Sequence, residues 1–196
     1  MNTPRKQFGL TLIEMMIAMV LGLLVTGTII TIFVSNVKSS VENTKMIHLN
    51  QELRTVVGFM ADELKRAGYS AAPTNAEYIN DFDSPSTTCV TYAYDVAGNG
   101  ASVANSDRFG FKLNGNTIEW GQNRTAKDNC VSGTWTAITD PQTADITNFS
   151  IDLSTAGSSV TMNTLVIAVT GEVSLNPDPA SRTILETIRV RNEDAD

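Results

Sequence analysis

The sequence predicts an α+β chain: a long N-terminal α-helix, first apolar on every side and then amphipathic, packed against an antiparallel β-sheet. Three observations carry that expectation. From Met15 to Val34 there are 20 consecutive residues without a charge. Beyond Val34 the apolar positions thin to mostly one in three or four. After Tyr69, short runs rich in strand formers are separated by Gly, Pro, Asn and Asp. With 196 residues, 42% of them hydrophobic, and the first third spent on one helix, the remainder can close one modest core.

At about 1.5 Å per residue, the uncharged run spans a hydrocarbon layer of roughly 30 Å. A cleaved secretory signal has a shorter apolar core, about 7–15 residues, ending in a small-x-small site. This run is longer, and Ser35-Asn36-Val37-Lys38 after it offers no such site. Glu14 is the single charge between Phe8 and Val34. A carboxylate in hydrocarbon costs roughly 2.5–3.5 kcal/mol on insertion scales, so Glu14 needs a partner. Cleavage between Gly9 and Leu10 would create one, because the new α-amino group lies four residues before Glu14, about one helical turn away. That amine could pair with Glu14 of its own chain or of a neighbour, and pairing between neighbours would set the axial register of packed helices. Glu14 reaching up to the headgroups is the other reading these residues leave open.

Arg5 and Lys6 precede the span, so the positive-inside rule places the N-terminus in the cytoplasm and the remainder outside. Without those two, the 14 basic residues fall to 12 against 21 acidic ones, a formal net charge of −9. Such an acidic chain argues against nucleic acid as a partner. Cys89 and Cys130 suit an exported domain, and a bridge between them would close a loop of about 40 residues, worth roughly 4 kcal/mol. Two independent thiols are the alternative, and no Cys-x-x-Cys spacing competes.

Along the second part of the helix, Val37, Val41, Leu49, Leu53, Val56, Met60, Leu64 and Ala67 form an apolar stripe that a sheet of the same chain would cover. Lys65-Arg66-Ala67-Gly68 supplies last-turn cations and a glycine stop. Gly58, costly in mid-helix, suggests close approach of the domain. Between Ala71 and Asp107 only Thr87–Tyr94 reads as a strand. Arg108–Leu113 and Thr117–Trp120 flank Asn114-Gly115-Asn116, a hairpin signal. Thr134–Ile138, Ile146–Leu153, Thr164–Leu175 and Thr183–Val190 are further strands, with Leu165-Val166-Ile167-Ala168-Val169 expected at a buried central position.

The basic leader, Gly9, then Leu10-Thr11-Leu12-Ile13-Glu14 and an apolar helix resemble the class III signal of type IV pilins and of the related type II secretion pseudopilins. That pattern has glycine before the cut, an apolar first mature residue and glutamate fifth. Leu10 stands where phenylalanine or methionine is usual, and Thr31 where many major pilins have a helix-kinking proline. The stretch Asn43–Tyr69, ending Ala61-Asp62-Glu63-Leu64-Lys65-Arg66-Ala67-Gly68-Tyr69, and the ending Leu185–Asn192 are similar to PilW-type minor pilins. The former is similar also to the J-type minor pseudopilins. The resemblance implies a pilin-like fold, cleavage by a prepilin peptidase between Gly9 and Leu10, N-methylation of Leu10, and an assembly role for Glu14. It implies a leader at 1–9, a transmembrane and assembly half at 10–35, and a periplasmic or surface domain at 36–196 that includes the amphipathic half, 36–67. The implied partners are other major and minor pilins through the N-terminal helix, the prepilin peptidase and the inner-membrane assembly machinery.

No enzyme constellation can be assembled. His48, the single histidine, falls on the long helix, and no Gly-x-Ser-x-Gly elbow or phosphate loop is present. Asp81-Phe82-Asp83 and Asp95 with Asn99 offer oxygens for calcium, but without the EF-hand glycine and terminal glutamate they read as solvated loops. No cofactor and no metal are expected. The expected function is that of a minor pilin in the priming or tip complex, supporting pilus biogenesis, adhesion or twitching motility. A minor pseudopilin of a type II secretion system shares the architecture. An uncleaved bitopic receptor or sensor is the reading from a different class.

Overall fold

The computed structural model describes residues 9, 11–72, 77–125, 130–155 and 163–189. One helix, α1 (Leu12–Leu64), is followed by a short α2 (Glu77–Asn80) and eight strands. These are β1 (Asp83–Ser86), β2 (Cys89–Ala93), β3 (Arg108–Asn114), β4 (Thr117–Gln122), β5 (Thr134–Ala137), β6 (Asp145–Thr155), β7 (Asn163–Val173) and β8 (Ala180–Arg189). The chain divides into two compact units, 1–44 and 45–196, and α1 contributes to both.

In the second unit α1 buries Leu49, Leu53, Val56, Val57, Met60, Ala61 and Leu64. Steps of three and four keep those side chains on one face, and they join Val90, Phe111, Ile118, Ile146, Phe149, Leu165, Ile167 and Val169 from the strands in one core. This is the α+β arrangement of a long helix on antiparallel strands that a pilin-like fold requires. The strands form two sheets where one was expected: a five-stranded sheet in the order β1-β2-β3-β4-β5 and a three-stranded meander, β6-β7-β8. They meet at the edge of β6, where Ile146 N–H donates to Asn116 O at 3.0 Å and Ile151 N–H donates to Thr87 O at 2.9 Å.

Several expectations change in detail. Val37 and Val41 are 46% and 51% exposed, because they precede the part of α1 that the sheets cover. Gly58 is exposed with nothing within 4 Å of a Cβ built there, so close approach of the domain does not explain it. The segment taken as connecting contains α2 and the edge strand β1 as well as β2. β7 is central in its sheet, yet only Leu165, Ile167 and Val169 of its apolar run are buried, since one face of that sheet is covered and the other is not. On β8 Ile188 is buried, Ile184 is half-buried, and Val190 lies outside the described residues.

Five described glycines have positive φ, and two of them shape the end of α1 and the β3–β4 hairpin. Gly68 (φ 77) ends the turn after α1, where Arg66 and Ala67 N–H groups donate to Glu63 O and Leu64 O three residues back. The helix therefore stops at Leu64 rather than Ala67, and Gly68 N–H donates to Ala93 O of β2 at 2.8 Å. Gly115 (φ 57) turns the β3–β4 hairpin, whose register closes on Asn114 opposite Thr117.

Candidate processing and assembly site

α1 opens with a reciprocal cap. Thr11 N–H and the Thr11 hydroxyl both donate to Glu14 Oε2 at 2.9 Å, and Glu14 N–H donates back to Thr11 Oγ1 at 3.3 Å. Thr-x-x-Glu is the capping-box pattern, which satisfies donors that a helix start otherwise leaves orphaned. The carboxylate also sits where the helix dipole favours negative charge. Glu14 Oε1 has no donor among the described residues, so the carboxylate retains capacity for a further cation. The sequence reading found the need for a partner but missed Thr11, although the spacing Thr11-Leu12-Ile13-Glu14 carries the signal. Gly9 is exposed just before the cap, and Leu10 lies outside the described residues.

The apolar part of α1 has a mean hydropathy of 2.5 over its best 18 residues, none of them buried within the chain. By length and composition it can cross a membrane. Its polar side chains are satisfied internally: the hydroxyls of Thr26, Thr28 and Thr31 donate to Gly22 O, Val25 O and Gly27 O at 2.8, 2.8 and 3.0 Å. Threonine hydroxyls bonded back to the preceding turn can sit in hydrocarbon without an orphan donor.

A second polar cluster closes α1 at Leu64. Glu63 is buried; its Oε1 accepts from Arg66 Nη1 at 2.9 Å, and its Oε2 accepts from the hydroxyls of Tyr92 at 3.3 Å and Tyr94 at 3.4 Å. Trp120 Nε1 donates to the Tyr92 hydroxyl at 3.2 Å. Burial first, and then the Glu63 charge, hold the Tyr92 phenol well above its ordinary range and raise Tyr94. The Glu63 charge raises Arg66. The cluster ties the end of α1 to β2 and β4.

Cys89 of β2 is bonded to Cys130 across 41 residues, with Cα atoms 6.4 Å apart. The bond holds Cys130 against β2 of the five-stranded sheet. There the Arg124 guanidinium is buried, donates to Phe109 O at 3.1 Å, and is lowered to about 10 by that burial. Trp135 lies with Lys112 Nζ 4.1 Å and the Arg124 guanidinium 5.3 Å from its ring centre, both at cation–π range. Trp120 is half-buried, edge-on to Phe59 at 5.4 Å, so both tryptophans belong to the packing of the sheet.

Residues 4–30 match the prokaryotic N-terminal methylation motif, and residues 42–190 match the family model described as prepilin peptidase-dependent protein B. The chain belongs to the prepilin peptidase-dependent protein B family. Prepilin peptidase-dependent protein B of Escherichia coli (strain K12) is 26% identical over 152 residues, covering 76% of this chain and 79% of that protein. No solved structure matches the chain significantly. Family and motif together mark a type IV pilin-like, membrane-anchored protein with a class III prepilin signal and a minor pilin or pseudopilin-like role. They imply processing by prepilin peptidase and assembly of the pilin type.

In this member of the prepilin peptidase-dependent protein B family, two of the acids considered for calcium, Asp81 and Asp95, are bonded within the fold. His48 is exposed on α1. One turn on, Glu52 Oε1 accepts Asp140 N–H at 2.6 Å, and burial raises the Glu52 carboxyl. Asp81 pairs with Arg108 at 2.7 Å. Asp95 receives the N–H groups of Gly98 and Gly100 at 2.7 Å, Ala71 at 3.2 Å and Asn99 at 3.3 Å. Burial opposes its charge, but these donors outweigh burial and hold the carboxyl below its ordinary range. Asp95 thus anchors a turn. Among the described residues no group of three or more His, Cys, Asp or Glu is placed to hold a metal.

Proposed function

We propose that this chain is a minor type IV pilin of the PilW type, acting as a structural subunit without enzymatic activity. Prepilin peptidase cuts between Gly9 and Leu10 and the Leu10 amine is methylated. Residues 10–35 then anchor the protein in the inner membrane, with the N-terminal end cytoplasmic and residues 36–196 periplasmic, until it enters the pilus at the cell surface. Its place is the priming or tip complex, among other major and minor pilins and the inner-membrane assembly machinery.

The observation that carries this reading is the start of α1. A single carboxylate, Glu14, sits in an otherwise apolar stretch five residues after Gly9 of the methylation motif, with one oxygen engaged by Thr11 and the other without a donor among the described residues. Such a helix can leave lipid for a bundle of similar helices at little solvation cost, and the open oxygen can take the Leu10 amine of a neighbour. The globular unit supports a structural role through its disulfide and through Glu63, whose carboxylate is bonded within the Arg66–Tyr92–Tyr94 cluster.

The deciding experiment is the intact and N-terminal peptide mass of the protein from membranes of a host with active prepilin peptidase. A chain beginning at Leu10 and carrying one added methyl group is expected. A chain that keeps residues 1–9 would overturn the reading.

A further inference from the structure

The outer edge of β8 has no neighbouring strand among the described residues, and it is ten residues long. An edge of that length presents a row of N–H and C=O groups to any extended chain. Between this edge and α1 runs a groove of about 560 Å³, lined among others by Arg54, Val57, Gly58, Arg182, Ile184 and Glu186.

Three features of the groove have no use inside the chain. The side chains of Arg54, Arg182 and Glu186 are exposed and make neither an ion pair nor a hydrogen bond with another described residue. Gly58 weakens the middle of a helix, yet a Cβ there would meet nothing within 4 Å, so no contact of this chain requires its absence. Leu185 is 66% exposed and alternates with Ile184 across the two faces of β8.

We propose that this edge and groove take an extended segment of a neighbouring pilin-type subunit as an added strand. The inference rests on the reading above that the chain assembles with such subunits. The chemistry of the segment follows from the pairing rule that directly opposite residues share a face. The residue opposite Arg182 enters the groove that Arg54 also lines, and is a carboxylate. The residue opposite Ile184 meets the space left by Val57 and Gly58, and is apolar. The residue opposite Leu185, on the other face, is apolar as well.

A second copy of this chain is the wrong occupant. Antiparallel pairing of β8 with itself would match Arg182 to Glu186 about Ile184, but it would set Leu185, the most exposed apolar side chain of the strand, opposite Thr183 instead of an apolar residue.

The test places a photoreactive p-benzoylphenylalanine at Leu185 of the full chain, in a host producing the other pilin-type subunits, with a second probe at Ile17 to report assembly through the apolar helix. The Leu185 probe is expected to link to a different pilin-type subunit at a strand carrying Asp or Glu. Arg54→Glu combined with Arg182→Glu lowers that yield at least tenfold while leaving the Ile17 adducts unchanged. Gly58→Gln, which fills the groove and favours the helix, has the same effect. Ile17 adducts without Leu185 adducts would overturn the proposal, as would Leu185 adducts indifferent to all three substitutions or formed only with a second copy. Absence of pilin adducts from both probes would instead overturn the assembly reading, and the proposal with it.

Discussion

Leu12–Val34 and Leu49–Leu64 are two parts of one helix with opposite surroundings. Large apolar side chains in the first are 55–79% exposed, whereas Leu49, Leu53, Met60 and Leu64 of the second are fully buried. The first part is apolar all round, so no single sheet could cover it, and its complement must be apolar all round too: lipid or other helices. The second confines its apolar residues to one face, which the two sheets cover. Pattern rather than the amount of hydrophobicity decides which part the chain buries, and the more apolar part is the one left bare.

The sharpest way to break this comparison is to change each part and ask whether only its own property suffers. Glu14→Ala is expected to reduce incorporation into fibres at least tenfold, about 1.4 kcal/mol or more, and to leave the melting of the globular unit unchanged. Normal incorporation, scored by immunoblot of sheared fibres, would remove Glu14 from assembly. Conversely, Cys89→Ser with Cys130→Ser is expected to cost roughly 4 kcal/mol in urea unfolding while leaving processing at Gly9 intact, because the bond closes a loop of 41 residues in the second unit only.

A smaller effect separates the two parts by pH. Burial raises Tyr78 to about 12 and Tyr92 well above the ordinary value of 10. An acid raised on folding contributes stability in full below pH 10 and loses it as the pH climbs through and beyond that value, since the unfolded chain gives up its proton first. Unfolding free energy should therefore fall above pH 10 by about 1.4 kcal/mol per pH unit for each such tyrosine. Tyr92→Phe should reduce the slope, and an unchanged slope in that variant would exclude Tyr92 as a source. Below this in size comes the cap. Thr11→Ala is expected to cost about 1 kcal/mol at the helix start, read as faster hydrogen exchange at the Glu14 amide, with no change in urea unfolding of the second unit. Smallest is Gly58→Ala, expected to add up to about 1 kcal/mol because the new Cβ meets open space. A loss of stability there would mean that Gly58 serves the monomer fold.

Much of the candidate site was legible because it is local. Gly9, Leu10 and Glu14 lie within one short stretch, and the uninterrupted apolar run after them is a property of composition. Thr11 was legible too, as a spacing of three before a glutamate, and was passed over. The Glu63 cluster was not, since Arg66, Tyr92, Tyr94 and Trp120 come from the turn after α1, from β2 and the residue following it, and from β4, which only packing brings together. Nor could a sequence reveal that Arg124 would be buried: it sits beside Gly110, where a Cβ would meet Arg124 Nη1 at 3.0 Å and Val90 O at 2.8 Å.

The sequence by itself determined the long helix, the change in its character after Val34, the β3–β4 hairpin and the prepilin-type signal. Each is set by interactions within a few residues along the chain, through helical periodicity, turn chemistry or the solvation of a contiguous run. The tertiary structure decided that the strands split into two sheets joined at β6, that Val37 and Val41 stay bare, and that Gly58 borders a groove beside a strand edge that no other described strand covers. Those outcomes depend on which distant segments meet, and strand pairing and burial are settled by long-range packing that no local pattern encodes.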